Sequence, residues 1–559
     1  MLRDDGTVMN LDSDEILFKL DKIEIAGWKS FSKNDSLIAY EAKNNTLNLF
    51  DINNRKIIYT FQISDGAIES IAFSQNNKFL CISKSNRTVT LYNLLNKKEI
   101  ATFVLFDNEN AITLLPTKYY MTSSQAALQL HYVKNNRIIT FEQLDIKYNR
   151  PDKVLEAIGS TDTLLINSYR KAYQKRIKKL GIDTTQFRDG YSVPESDFIN
   201  RDAIEYEQTN NKLTLKIKGS DSTYKLSRFN IWVNEVPLFG LRGIKTKQKN
   251  NFDTTITITL SQGENRIETS ITNVNGTESY RMPLFVKYTP TLLKETKTHF
   301  IGIGINQFSN SEYNLSWSVK DIRDLAIKLK SKYPNIIIDT LFDKNVTKEN
   351  ILALKQKLLL LNEDDKVIVS YSGHGVLSKD FDYFLSTYSI DFTKPEENGF
   401  AYEDLENLLD NIKPRQKLML IDACHSGEVD KEELDRVEAS KKVLDNSGIV
   451  HKSSIKVVKK KNLGMANSFE LMQSLFVNVG KGTGATIISA AGGMQYAQER
   501  GDLKNGVFTY SIIEAMNNNS TLKVSELKKM VGERVIQLTN GLQKPTSRNE
   551  TNNYDWVIW

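Results

Sequence analysis

The sequence predicts a multidomain chain that closes in an α/β domain, a mostly parallel sheet with helices on both faces, preceded by a β-rich repeat region, a helical connector and a β-sandwich. Three observations predict this. A 42-residue repeat lies near the start, evenly spaced alternating strands occupy the middle, and continuous apolar strands separated by helices fill the C-terminal half. A length of 559 residues is also more than one core can organise and suggests three or four domains.

The repeat comes first. Phe31-Ser32-Lys33-Asn34 realigns with Phe73-Ser74-Gln75-Asn76, and Thr46-Leu47-Asn48-Leu49-Phe50-Asp51 with Thr88-Val89-Thr90-Leu91-Tyr92-Asn93, each pair offset by 42. That is the period of a four-stranded WD-type propeller blade, and the alternating apolar pattern suits short antiparallel strands. A weaker third unit is expected from about Leu115 to Leu144. Residues 1–147 therefore resemble a partial β-propeller, whose closure normally takes at least about four blades. The blades offer a surface for a protein partner.

Residues 148–190 form the connector. Val154 to Leu180 has helical spacing, with Tyr169, Tyr173 and Ile177 on a core face and a basic outer face. Over 191–290 strand signals return, as in Thr255-Ile256-Thr257-Ile258-Thr259-Leu260, broken by turns such as Gln262-Gly263-Glu264-Asn265 and Asn275-Gly276. Regular strands over about ninety residues suggest an immunoglobulin-like sandwich with Trp232 as its core aromatic.

From 296 to 559 strands alternate with helices. Phe300 to Ile305, Ile336 to Ile338, Val367 to Tyr371, Lys417 to Ile421 and Ala485 to Ser489 are the strands, with helices over Val319 to Lys332 and Lys348 to Leu361. Continuous apolar strands of this kind belong to a parallel sheet covered on both faces, and such sheets carry their chemistry beyond the carboxyl ends of the strands.

Two of those ends are unusual. One runs into Ser372-Gly373-His374-Gly375, the other into Asp422-Ala423-Cys424-His425-Ser426-Gly427. A thiol attacks a carbonyl as the thiolate and needs an imidazole to take its proton, while small glycines leave amide N–H groups free to hold an oxyanion. Taken singly, a strand-end cysteine is more often a small buried hydrophobe and a single histidine structural. Together, in this order, they make a nucleophile and its base. His425 is the weaker candidate base, because adjacent residues on an extended strand face opposite ways. Cys81, the other cysteine, is expected in the core of its strand.

The histidine precedes the cysteine by 50 residues, the spacing of caspases. The two blocks, together with Gly506-Val507-Phe508-Thr509-Tyr510, resemble those of the caspase and metacaspase group over roughly Thr298 to Trp559. The resemblance implies a cysteine endopeptidase with His374 as general base and acid, Cys424 as nucleophile, and the amides of Gly375 and Cys424 as oxyanion hole. Animal caspases carry glutamine two residues before the cysteine; here Asp422 stands there. Leu315-Ser316-Trp317-Ser318-Val319-Lys320-Asp321 resembles the metacaspase segment whose last aspartate lines the S1 pocket. Asp321 and Asp422 together imply cleavage after arginine or lysine, since paired carboxylates bind a guanidinium and repel aspartate. The alternative for Asp321 is a solvated carboxylate at a helix start.

Residues 428–483 form a charged insert. Lys441, Lys442, Lys459, Lys460 and Lys461 make it a substrate for the chain's own basic specificity, hence a candidate site of self-processing; a solvated charged loop is the alternative. Some metacaspases need calcium, but no EF-hand run is present, and no His or Cys cluster has metal-ligand spacing, so no cofactor or metal is expected. The partners expected are protein substrates with basic cleavage residues. A net charge of +6, much of it in one lysine-rich stretch, argues against nucleic acid as a partner. No apolar run is long enough for a membrane helix, the start lacks a signal-peptide core, and two distant cysteines fit a reducing, cytoplasmic location. The competing readings are an inert caspase-like domain on a binding scaffold, and acyl transfer to an acceptor other than water.

Overall fold

The computed structural model describes residues 2–10, 13–20, 25–107, 110–127, 129–134, 136–292, 295–378, 382–423, 449–451, 482–491, 497–549 and 554–559. The chain divides into two compact units, Met1–Tyr132 with Lys147–Ile166, and Val133–Ile146 with Asn167–Trp559.

In the first unit, Lys29–Phe31, Leu37–Ala42, Thr46–Asp51 and Lys56–Gln62 form a four-stranded antiparallel meander. Ile68–Phe73, Phe79–Lys84, Thr88–Asn93 and Glu99–Leu105 repeat it. The repeat extends to individual hydrogen bonds. Ser32 Oγ accepts from Leu37 N at 2.9 Å, and Ser74 Oγ from Phe79 N at 3.0 Å, in turns whose Asp35 and Asn77 both take positive φ. Leu47, Leu49, Phe61, Leu80 and Ile82 bury between the two sheets. The expected third unit differs. Ala111–Leu114 and Tyr120–Thr122 extend the second sheet, whereas most of the hairpin His131–Lys134 with Arg137–Thr140 and of the helix Phe141–Tyr148 belongs to the second unit. Cys81 is half-buried and not a core residue: on its strand Leu80 and Ile82 take the inner face, and alternation turns Cys81 away.

In the second unit, Glu195–Phe198, Lys212–Ser220 and Asn251–Thr259 form one sheet; Gly263–Asn273, Leu226–Val233 and Leu284–Tyr288 are the main strands of another. Leu215, Ile217, Phe229, Ile231, Ile258, Ile271 and Val286 fill the space between them. Trp232 is buried but outside that core, because Phe229, Ile231 and Val233 point inward and the residue between must point out. The helix Thr163–Leu180 is less simply basic-out than its pattern suggests: Arg176 is buried against Asp145, Lys175 pairs with Asp382, and Lys179 lies 2.7 Å from Glu406.

The C-terminal sheet is built from β1 (Thr298–Gly304), β2 (Ile336–Phe342), β3 (Lys366–Ser372), β4 (Gln416–Asp422), β5 (Thr486–Ser489) and β6 (Thr546–Asn549), in the order β2-β1-β3-β4-β5-β6. All neighbours are parallel except β6, which runs antiparallel to β5. Alternation along each strand feeds two cores. Ile301, Val369 and Ile421 face α2 (Lys348–Leu358) and α3 (Tyr402–Leu409). Phe300, Ile368, Leu420 and Ile488 face α1 (Ser318–Lys332), α4 (Val507–Asn518) and α5 (Val524–Leu538). The sandwich meets the amino ends of these strands: Arg415, just before β4, donates to the Thr259 carbonyl at 2.7 Å, and Gln262 N donates to Asp364 at 2.8 Å. The carboxyl ends lie at the opposite edge of the sheet.

Candidate active site

The chain leaves β1 for β2 on one side of the sheet and later returns to β3 on the other, so the β1/β3 boundary is the topological switch point where α/β sheets open a crevice. Register aligns Gly304, Ser372 and Asp422 across β1, β3 and β4 at their carboxyl ends. Close approach there depends on two glycines. A Cβ on Gly304 would sit 2.9 Å from the Ser318 carbonyl, so only glycine lets α1 lie this near the strand. A Cβ on Gly373 would sit 2.6 Å from Ile305 Cγ2 and 2.7 Å from the Tyr371 hydroxyl.

His374 follows directly and is buried. Its ring lies 5.2 Å from that of Phe308 and edge-on to that of Phe392 at 5.5 Å, centroid to centroid. Nε2 is 2.8 Å from the Tyr313 carbonyl oxygen. A carbonyl only accepts, so Nε2 carries the proton in that bond and the neutral ring has its lone pair on Nδ1. The main chain is fixed too. The His374 carbonyl accepts from Ser386 N at 2.9 Å and lies 3.0 Å from the Tyr371 hydroxyl, which also reaches the Ser386 carbonyl. Gly375 opens a short strand, Gly375–Leu377, paired with Tyr383–Leu385.

Two buried carboxylates stand beside this strand end. Asp321, in the first turn of α1, accepts from Ser372 Oγ at 2.9 Å, Asn505 Nδ2 at 3.0 Å and Gly506 N at 2.8 Å. Asp422 accepts from Thr509 Oγ1 at 2.7 Å and Thr509 N at 3.3 Å, while its carbonyl accepts from Gly373 N at 3.2 Å. Gly506 and Thr509 are the cap and third residue of α4, so one helix N-terminus serves both carboxylates and replaces water they lose on burial. Asp321 is thus no solvated helix-start residue; it is 0% exposed and joined to β3 through Ser372.

Sequence reasoning did not single out Glu499. Its buried carboxylate accepts from Ser316 N at 3.0 Å, Trp317 N at 3.1 Å and Ser318 Oγ at 3.1 Å, holding the approach to α1 and therefore Asp321. Its spacing from the other site residues carries no signal. Cys424, His425 and the insert lysines Lys441, Lys442, Lys459, Lys460 and Lys461 lie outside the described residues. Among the described residues, no group of three or more His, Cys, Asp or Glu side chains is placed to hold a metal ion, and no helix is long and apolar enough to cross a membrane.

Residues 300–555 match the family model described as the caspase domain, and residues 29–117 match the WD40 domain of anaphase-promoting complex subunit 4. Among curated proteins the chain is similar to Metacaspase-1 of Meyerozyma guilliermondii, 32% identical over 144 residues, covering 22% of this chain and 34% of the relative. The chain thus spans about a third of the length of that relative. A crystal structure from Geobacter sulfurreducens aligns at 18% identity with a TM-score of 0.31, over 45% of this chain and 92% of that one.

Proposed function

We propose that the chain is a cysteine endopeptidase of the caspase and metacaspase kind, with His374 and Cys424 as its dyad and cleavage after arginine or lysine. The observation that carries the reading is the buried His374 ring, whose Nε2 bond to the Tyr313 carbonyl assigns the basic lone pair to Nδ1. In the proposed mechanism Nδ1 takes the Cys424 thiol proton as the thiolate attacks the scissile carbonyl, and returns it to the leaving amine. Water then hydrolyses the thioester with the same nitrogen as base. The Gly375 and Cys424 amides hold the oxyanion. Asp321 and Asp422 receive the basic side chain in S1.

The first 147 residues serve in this reading as blades of a partial propeller that presents a protein-binding face. Residues 148–190 are the connector, 191–290 an immunoglobulin-like support, and 296–559 the peptidase in a reducing, cytoplasmic setting. The basic insert 428–483 is cut by the enzyme itself near Lys441-Lys442 or Lys459-Lys461.

The test compares wild type with Cys424→Ala on fluorogenic peptides ending in Arg, Lys or Asp, with and without calcium. Thiol-dependent release after Arg and Lys is expected. No release from any peptide sinks the peptidase reading, and release only after Asp removes the pocket assignment. Loss of self-cleavage in Cys424→Ala, read on a gel, tests the insert.

A further inference from the structure

A second charged site lies in the sandwich region, away from the strand ends that carry His374. Arg176 of the helix Thr163–Leu180, Arg228 of the strand Leu226–Val233, and Arg281 line one cavity of about 40 Å³. On the measure in which one water needs roughly 10–15 Å³, that is room for roughly three water positions. Two carboxylates partly neutralise it. Asp145 pairs with Arg176 Nη2 at 2.6 Å, and Glu278 accepts from Arg281 Nε at 2.8 Å and Nη2 at 2.7 Å. Arg242 and Glu142 complete the charged lining and are exposed at the rim.

The guanidiniums are not used up by these pairs. The Arg176 side chain is 3% exposed, yet its Nε and Nη1 have no hydrogen-bond partner, and Arg281 Nη1 is likewise buried without one. Arg228 spends Nη1 on the Leu180 carbonyl at 2.8 Å. Burial pushes its pKa down, Glu278 counters this, and Arg281 and Arg176 push it down further, as expected of like charges facing one another. The Arg281 guanidinium carbon also lies 3.9 Å from the centroid of the Trp232 ring, which alternation turns away from the sandwich core. Arginines fixed by carboxylate, carbonyl and aromatic contacts, with donors left over, are built to receive an anion.

We propose that this cavity binds a phosphoryl group, with one of the spare Arg176 donors, Nε or Nη1, and Arg281 Nη1 each donating to an oxygen of it. The unused donors come from a helix and from the sandwich, so they approach from different directions. A tetrahedral oxyanion offers oxygens to both, whereas a planar carboxylate offers two in one plane. The volume admits the phosphoryl group itself, and a larger ligand would project past Arg242. The site is built on the helix whose Lys175 and Lys179 hold Asp382 and Glu406.

The test is calorimetric titration of the full chain in chloride buffer at fixed ionic strength, once with inorganic phosphate and once with ATP. Saturable binding of at least one probe is expected, with Kd raised at least tenfold in Arg176→Met. Arg281→Gln, at a less buried position, gives the same direction and keeps the test decisive if Arg176→Met fails to fold. Phosphate binding identifies the free ion as sufficient; ATP binding alone identifies the terminal phosphoryl of a larger molecule. No saturable heat with either probe, or wild-type affinity in Arg281→Gln, overturns the proposal. Neither outcome depends on peptidase activity.

Discussion

Replacing Asp422 by asparagine keeps the shape of the proposed S1 floor and removes its charge. A carboxylate has about four lone-pair sites, and Thr509 N and Oγ1 draw on the Oδ2 side of Asp422. Asp321 accepts from three donors that tie it to β3 and to the start of α4. Asp422, at a fixed two-residue spacing from Cys424, should carry the larger share of guanidinium recognition. A hydrogen bond to a charged group is worth about 1.5–3 kcal/mol, and each 1.4 kcal/mol is about tenfold, so Asp422→Asn should lower kcat/KM for an arginine peptide about 10- to 150-fold. The assay runs arginine and citrulline peptides in parallel. Citrulline, isosteric but neutral, should lose less than threefold in the variant. Equal losses on both peptides would mean that the substitution damages the dyad or the fold, and no loss on arginine would refute the pocket. Asp321→Asn should differ in kind, lowering the melting temperature as well, because Gly506 N and Asn505 Nδ2 lose a charged acceptor.

Three further outcomes follow from the same geometry. Glu499→Gln turns an acceptor-only group into one that also presents N–H toward the amides of Ser316 and Trp317, so stability should fall by about 2 kcal/mol, read by urea unfolding, with weaker arginine selectivity. Tyr371→Phe removes the hydroxyl beside the His374 and Ser386 carbonyls; about 1 kcal/mol of stability should go, and kcat should fall with KM nearly unchanged. His299 is buried at β1, beside Asp365, Asp339 and Lys297, and desolvation lowers its pKa from 6.5. Between that value and the lower folded one, the unfolded chain binds the extra proton, so its contribution is complete above about pH 6.5 and is lost as pH falls. His299→Gln should flatten that part of the melting-temperature profile; an unchanged slope would assign the pH dependence elsewhere.

Much of this was legible because it is periodic. The 42-residue offset returned as two meanders with the same Ser–Asn turns, since a turn is encoded by local residues. The parallel strands were legible from continuous apolar runs, and the order of the sheet then brought Ser372 and Asp422 into register. Other features escaped because they depend on facing direction. Trp232 and Cys81 were both assigned to cores that alternation gives to their neighbours. Arg176 looked like part of a solvated basic face, and only tertiary packing reveals the Asp145 partner that buries it. Glu499 belongs to no pattern at all; it matters because α1 begins with amides that need an acceptor.

The buried guanidinium at the amino end of β4 has a consequence for anyone dissecting the chain. Arg415 reaches across to the Thr259 carbonyl, and burial lowers its pKa to about 10 against the opposing effect of nearby Glu363, Tyr554 and Asp364. A fragment cut at residue 296 would keep the cation and discard the oxygen that receives it. The sandwich and the sheet should therefore melt as one cooperative block, and an isolated C-terminal half would owe any poor behaviour to an orphaned arginine at its base before any fault in its chemistry.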